Sequence, residues 1–198
     1  MEEGSTIQQV RETILDAPCP GCGHRPLKYL IVDLDLPYFG DALQTTILCE
    51  ECGFKHADVL ILSQREPVHY EMRISGEEDL SVRVVRSSSG TIRIPEVGME
   101  MEPGPLSEAF VSNVEGVLMR FVDILSFLQR TSESEAERER IMEIFRFIGL
   151  VRSGKRSATL VLEDPLGNSA ILSDKATKRR LSEEEIKNLK TGILILEK

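Results

Sequence analysis

Cys19-Pro20-Gly21-Cys22-Gly23 and Cys49-Glu50-Glu51-Cys52-Gly53 decide how the first third of this chain is read, and together they hold all four of its cysteines. Two residues between the cysteines of a pair let one tight turn aim both sulfurs at a common point. A glycine after the second cysteine can take a positive φ, which turns backbone N–H groups toward the thiolates. Two matched knuckles of this kind predict a tetrahedral four-sulfur shell around one structural zinc ion, with Cys19, Cys22, Cys49 and Cys52 as ligands. A redox dithiol calls for a single Cys-x-x-Cys pair opening a helix. Iron suits the same ligands. A closed four-sulfur shell keeps no position for a substrate or an activated water. The metal is therefore expected to hold the fold, and the protein is expected to be no enzyme.

Outward from the knuckles, Leu27 to Leu36 alternates as a strand, Pro37-Tyr38-Phe39-Gly40 reads as a turn, and Ala42 to Leu48 returns to the second knuckle. Phe54 to Leu62 continues as a third strand, and residues 5–15 read as a short helix leading into the first knuckle. Residues 1–64 are thus expected to form a zinc ribbon. From 65 to 198 a second domain is expected. Its first part is β: Val68–Ile74, Ser81–Val85, Thr91–Ile94 and Val97–Met101, punctuated by Pro95, Gly98 and Pro103-Gly104-Pro105. Val114, Val117, Leu118, Phe121, Leu125 and Leu128 then recur at helical spacing behind a capping-box signature of Ser112 and Glu115. Ile141, Ile144, Phe145 and Ile148 make a second stripe, so residues 112–152 predict a helical hairpin. Strands return at Thr159–Leu162 and Ser169–Leu172, then a helix capped by Ser182 and Glu185, and a strand at Ile193–Leu196. The hairpin reads as an insertion into a β-domain, which makes the fold class α+β and mostly β.

With 41% apolar and 29% charged residues, the chain can bury a sizeable core. It has no Trp and three Tyr, few platforms for stacking bases. Its 33 acidic and 24 basic residues leave a net charge of −9. The first 62 residues carry ten acidic and four basic side chains, net −6, and zinc on four thiolates adds a further −2. A phosphate backbone is repelled by such a module and a basic protein surface is attracted. The start of the chain lacks the basic and apolar blocks of a signal peptide, and no apolar run approaches a membrane span, so a cytoplasmic protein without a membrane partner is expected.

Three other features carry less. The run from Gly149 to Arg156 approaches a phosphate-binding loop, but Arg156 stands where magnesium needs Ser or Thr, and the run follows a helix instead of a strand. His24, His56 and His69 are scattered, and no catalytic triad or carboxylate pair follows from their spacing. Lys175, Lys178, Arg179 and Arg180 form a basic cluster that reads as a solvated loop.

One series of short motifs is more specific than the knuckles. Pro37-Tyr38-Phe39-Gly40, Cys49 to Phe54, Glu78-Asp79-Leu80, Arg86-Ser87 and Thr91-Ile92-Arg93-Ile94-Pro95-Glu96 occur in order. They are followed by Pro103-Gly104-Pro105, Phe110-Val111, Val114-Glu115-Gly116 and Asp164-Pro165-Leu166-Gly167-Asn168-Ser169. This run, over residues 17–172, resembles the ZPR family of zinc-finger proteins, in the single-module form of its archaeal members. The resemblance implies that the second domain is a double-stranded β-helix. It also implies a protein partner, translation elongation factor 1-alpha, which family members bind and help to fold. Tyr38 and Phe39, at the tip of the predicted hairpin, are the candidate partner-binding residues, with packing inside the domain as the competing reading. A nucleic-acid-binding ribbon of the translation or transcription machinery is the alternative function, and no small-molecule substrate is expected.

Overall fold

Four antiparallel strands carry the knuckles: β1 (Thr6–Leu15), β2 (Leu27–Leu36), β3 (Gly40–Leu48) and β4 (Lys55–Ile61), side by side in chain order. The computed structural model describes residues 6–63, 65–104 and 107–190. The chain divides into two units, Met1–Gln64 and Arg65–Lys198. In the first, β2 and β3 run in register from Lys28↔Leu48 to Leu36↔Gly40, so the two knuckles meet at one end and the Pro37–Phe39 turn lies at the other. Residues 6–15 are a strand, not the expected helix, and they pair with β2 from Thr6↔Asp35 to Leu15↔Leu27. Ile7, Val10 and Ile14 have helical spacing, but a helix would need a core to receive that stripe. The open edge of β2 instead offers a row of main-chain partners, and β1 takes them. Val10 and Ile14 remain exposed as a result.

The second unit holds two sheets. After β5 (Val68–Ile74) come β6 (Arg83–Arg86), β7 (Thr91–Ile94), β8 (Met99–Met101) and β9 (Phe110–Asn113). Helices α1 (Val114–Thr131) and α2 (Glu135–Arg152) intervene before β10 (Ala158–Asp164), β11 (Ala170–Leu172), β12 (Thr177–Arg180) and α3 (Glu183–Asn188). One sheet has the order β12-β5-β10-β7-β8 and the other β11-β6-β9, so apart from the β7–β8 pair sequence neighbours lie in different sheets, as in a jelly roll. Met72, Ile74, Ile92, Ile94, Leu160 and Leu162 point from the first sheet into the core. Val117, Leu118, Phe121, Ile144 and Ile148 of the helical hairpin pack against them. The fold is therefore α+β and mostly β, a cysteine-bearing β-sheet followed by a double-stranded β-helix with an inserted helical hairpin.

Three local expectations change. The cap of α1 is Asn113, whose Oδ1 accepts the Gly116 N–H at 2.8 Å, while Ser112 belongs to β9. Glu115, freed from a capping box, accepts from Arg152 at 2.7 Å and ties the two ends of the hairpin together. Lys178–Arg180 belong to strand β12, where a loop was expected. The expected strand at Ile193–Leu196 lies outside the described residues. No helix among the described residues is long and apolar enough to cross a membrane.

Candidate metal centre

The knuckles are superposable in their bonding. In the first, the Gly23 N–H donates to the Cys19 carbonyl at 2.8 Å and the Cys19 N–H to the His24 carbonyl at 2.9 Å. In the second, the Gly53 N–H donates to the Cys49 carbonyl at 3.0 Å and the Cys49 N–H to the Phe54 carbonyl at 2.8 Å. Gly23 and Gly53 have φ of 74° and 72°, the left-handed region that closes such a turn without a Cβ clash. Cys19 and Cys49 are buried against Leu27, Ala17, Ile47 and Phe54, and Cys22 and Cys52 lie at the surface.

All four sulfurs lie within 4.8 Å of one another. Cys19 Sγ stands 3.6 Å from Cys52 Sγ, and Cys22 Sγ 3.7 Å from Cys49 Sγ. A tetrahedron with metal–sulfur bonds of about 2.3 Å has edges of about 3.8 Å, so these sulfurs fit a single small cation. The Gly21 N–H donates to Cys19 Sγ at 3.3 Å and stabilises negative charge there. Desolvation raises the Cys19 thiol, but the N–H groups of Cys22 and Gly21 and the sulfurs of Cys52 and Cys49 outweigh it and bring it down to about 7. At Cys22 the His24 N–H lowers the thiol, yet the Cys52 sulfur, desolvation and the remaining two sulfurs push it up to about 12. The first thiolate thus resists ionisation at Cys22 and Cys52, and a cation held among the sulfurs would relieve that repulsion.

At the opposite end of the ribbon the two candidate partner-binding residues separate. Phe39 is buried at 6% exposure, and Tyr38 is exposed at 37%. The Phe39 N–H closes the turn on the Leu36 carbonyl at 3.1 Å, and Tyr38 takes a φ of 72° that an L side chain adopts at a cost. Tyr38 is the one described non-glycine residue with a positive φ.

The second unit contains two polar clusters that spacing did not reveal. Asp164 is fully buried and accepts five hydrogen bonds: from the Ser87, Ser89 and Ser169 hydroxyls at 2.7 Å each, and from the Leu166 and Asn168 N–H groups at 2.9 Å. A Cβ on Gly90 would stand 2.7 Å from the Ser169 hydroxyl oxygen, which explains a glycine at that turn. Beside it, buried Arg86 donates to the Gly90 carbonyl at 2.8 Å, and burial lowers its affinity for a proton. The second cluster gathers His69, Glu163 and Glu185, whose ligand atoms lie within 4.8 Å of one another. His69 Nδ1 is 2.9 Å from Glu163, the Arg93 guanidinium is paired with Glu163, and Arg179 holds Glu185 through two contacts at 2.6 and 2.9 Å. Guanidinium groups already balance the two carboxylates, so this cluster reads as a charge ladder across the sheet. The run from Gly149 to Arg156 is the C-terminus of α2 and the turn after it. The Lys155 and Arg156 N–H groups fold back onto the Leu150 carbonyl, the wrong end of a helix for a phosphate.

Comparison with known proteins places these features in a lineage. The ZPR1 jelly-roll domain matches residues 78–191. A ZPR1-like protein of Methanocaldococcus jannaschii is 47% identical over 188 residues, covering 94% of both chains. A ZPR1-like protein of Pyrococcus horikoshii is 44% identical, covering 96% of this chain and 85% of its own. The zinc finger chaperone zpr1 of Schizosaccharomyces pombe is 29% identical, covering 77% of this chain and 34% of its own. With a jelly roll matched over most of its length and full-length archaeal relatives on both sides of 45% identity, this chain belongs to the ZPR1 family.

Proposed function

We propose that Cys19, Cys22, Cys49 and Cys52 hold one structural zinc ion, and that the chain is a non-enzymatic folding factor for translation elongation factor 1-alpha. The observation that carries this reading is the four-sulfur cluster at tetrahedral spacing, in a chain related to a protein named a zinc finger chaperone. Zinc favours four thiolates in a closed tetrahedron, and such sites in small fingers contribute about 10–16 kcal/mol to folding. The first unit needs that contribution. Its buried apolar residues besides the cysteines are Leu27, Leu34, Phe39 and Ala42, among the described residues. In this reading residues 1–64 fold as a zinc ribbon and residues 65–198 as a separate β-domain.

The protein partner is supported by surface chemistry. With zinc bound, the ribbon is strongly acidic and suits the basic surface of a tRNA-binding protein. Exposed apolar side chains add contact area: Tyr38 at the hairpin tip, Val10 and Ile14 on β1, and Ile124, Phe127 and Met142 on the helical hairpin. Within the tip Tyr38 makes the contact and Phe39 supports the turn from below. Mixing the zinc-loaded protein with purified elongation factor in size-exclusion chromatography tests the proposal. A stable complex is expected with the parent chain, and its loss with Cys49→Ser. Full zinc occupancy without any complex would remove the partner from this account.

A further inference from the structure

We infer that the second unit carries a second interaction site of opposite charge: a cleft beside the edge of β12, which is open among the described residues, that takes an acidic, extended peptide segment. The cleft encloses about 420 Å³ between the 65–67 segment, the turn at Gly167 and β12. Pro67, Val68 and Tyr70 form its floor, and Arg65, Lys178 and Arg180 stand around it with Glu66 as the opposing carboxylate. These cations are weakly engaged. Lys178 lies over the Tyr70 ring at 5.6 Å, and Arg180 reaches Glu66 only at 4.0 Å. Their neighbours are committed elsewhere: Arg179 is locked to Glu185 at 2.6 Å, and Lys175 is paired with the buried carboxylate of Asp79. Three cations against one carboxylate give a local charge of +2 on a chain whose net charge is −9.

The edge decides which anion fits. β12 ends the five-stranded sheet, pairing with β5 in the register Thr177↔Glu71 to Arg180↔Val68, and all four of its residues are exposed. Lys178 and Arg180 sit opposite Tyr70 and Val68, so they lie on the cleft side of the strand. A peptide laid along β12 would pair main chain to main chain. Alternate acidic side chains on its cleft-facing side would meet Arg65, Lys178 and Arg180. A nucleic acid can use neither the strand edge nor the floor. The ring of Tyr70 is covered by Lys178, and a phosphodiester backbone has neither the N–H nor the C=O groups that pair with a strand edge.

The test is fluorescence anisotropy of the zinc-loaded full chain with a labelled seven-residue peptide in which Glu alternates with Leu. Saturable binding that tightens at low salt is expected. The exposed double reversal Lys178→Glu/Arg180→Glu is expected to weaken it about tenfold or more, with Tyr38→Gly leaving it unchanged. That last arm separates this site from the elongation-factor surface, so either can fail alone. A peptide N-methylated at alternate amides is expected to lose most of its affinity. Binding indifferent to the charge reversal or to N-methylation, no binding at low salt, or tighter binding of a single-stranded oligonucleotide of equal charge would overturn the proposal.

Discussion

Tyr38 concentrates a conflict between backbone and side chain. Its φ of 72° belongs to glycine or asparagine, and holding an L side chain there costs about 1–2 kcal/mol. Tyr38→Gly is therefore expected to leave the ribbon as stable or up to about 1 kcal/mol more stable, while Tyr38→Val loses about 1–2 kcal/mol. Hydrogen exchange of the β2 and β3 amides reads both. If Tyr38→Gly also weakens elongation-factor binding without lowering stability, the strained aromatic is held there for contact. Asp164 is the opposite case, a buried carboxylate met by five donors. Its carboxylate accepts from three hydroxyls and two N–H groups, and an amide at that position would turn a donor toward donors. Asp164→Asn is expected to destabilise the second unit by about 2–4 kcal/mol, seen as a lower urea midpoint with the metal centre intact.

Among the elements, α3 is short and owes its place to its cap. The Ser182 hydroxyl accepts the Glu185 N–H at 3.3 Å, and Glu185 accepts the Ser182 N–H at 2.8 Å and two contacts from Arg179. The Arg179 guanidinium first, and then the Ser182 N–H and hydroxyl, hold the Glu185 carboxyl far below the usual carboxylate range. A carboxyl depressed in the folded state contributes stability that is complete above its ordinary range and fades as pH falls toward the depressed value. Exchange protection of α3 is thus expected to persist through pH 5 and to decline in strong acid. In Arg179→Ala the Glu185 carboxyl, followed by carbon-detected NMR, is expected to titrate at higher pH. The cap was legible as Ser182 and Glu185 three residues apart. The arginine completing it was not, because Arg179 reaches Glu185 only once β12 has joined β5.

For the molecule as a whole, the two units differ in what holds them. The second has a continuous core from Met72 to Ile171 that includes both helices of the hairpin, whereas the first has few buried apolar side chains around its sulfurs. Removing the metal with a strong chelator is expected to collapse exchange protection in β1–β4 and to leave the helical circular dichroism of α1 and α2 in place. Readdition of zinc is expected to restore the strands. Loss of both signals together would mean that the second unit depends on the metal as well. Because thiols must lose protons to bind, metal release is also expected as pH falls, preceding any acid unfolding of the jelly roll.

What the sequence determined by itself is what short covalent reach can encode. Two Cys-x-x-Cys-Gly turns define their own sulfur geometry, alternation from Leu27 to Leu36 and Val68 to Ile74 requires strands, and the apolar stripes from Val114 and Ile141 require helices. Only the tertiary structure decided the rest. Residues 6–15 became a strand because β2 had an edge to fill, and Asn113 became the cap because β9 stays paired with β6 as far as Asn113 and α1 starts only after it. Asp164 met Ser87 and Ser89 from 75 to 77 positions away, and β12 brought Lys178 and Arg180 beside Arg65. Those contacts depend on which strand edges meet once the core has closed, and no local pattern of side chains carries that information.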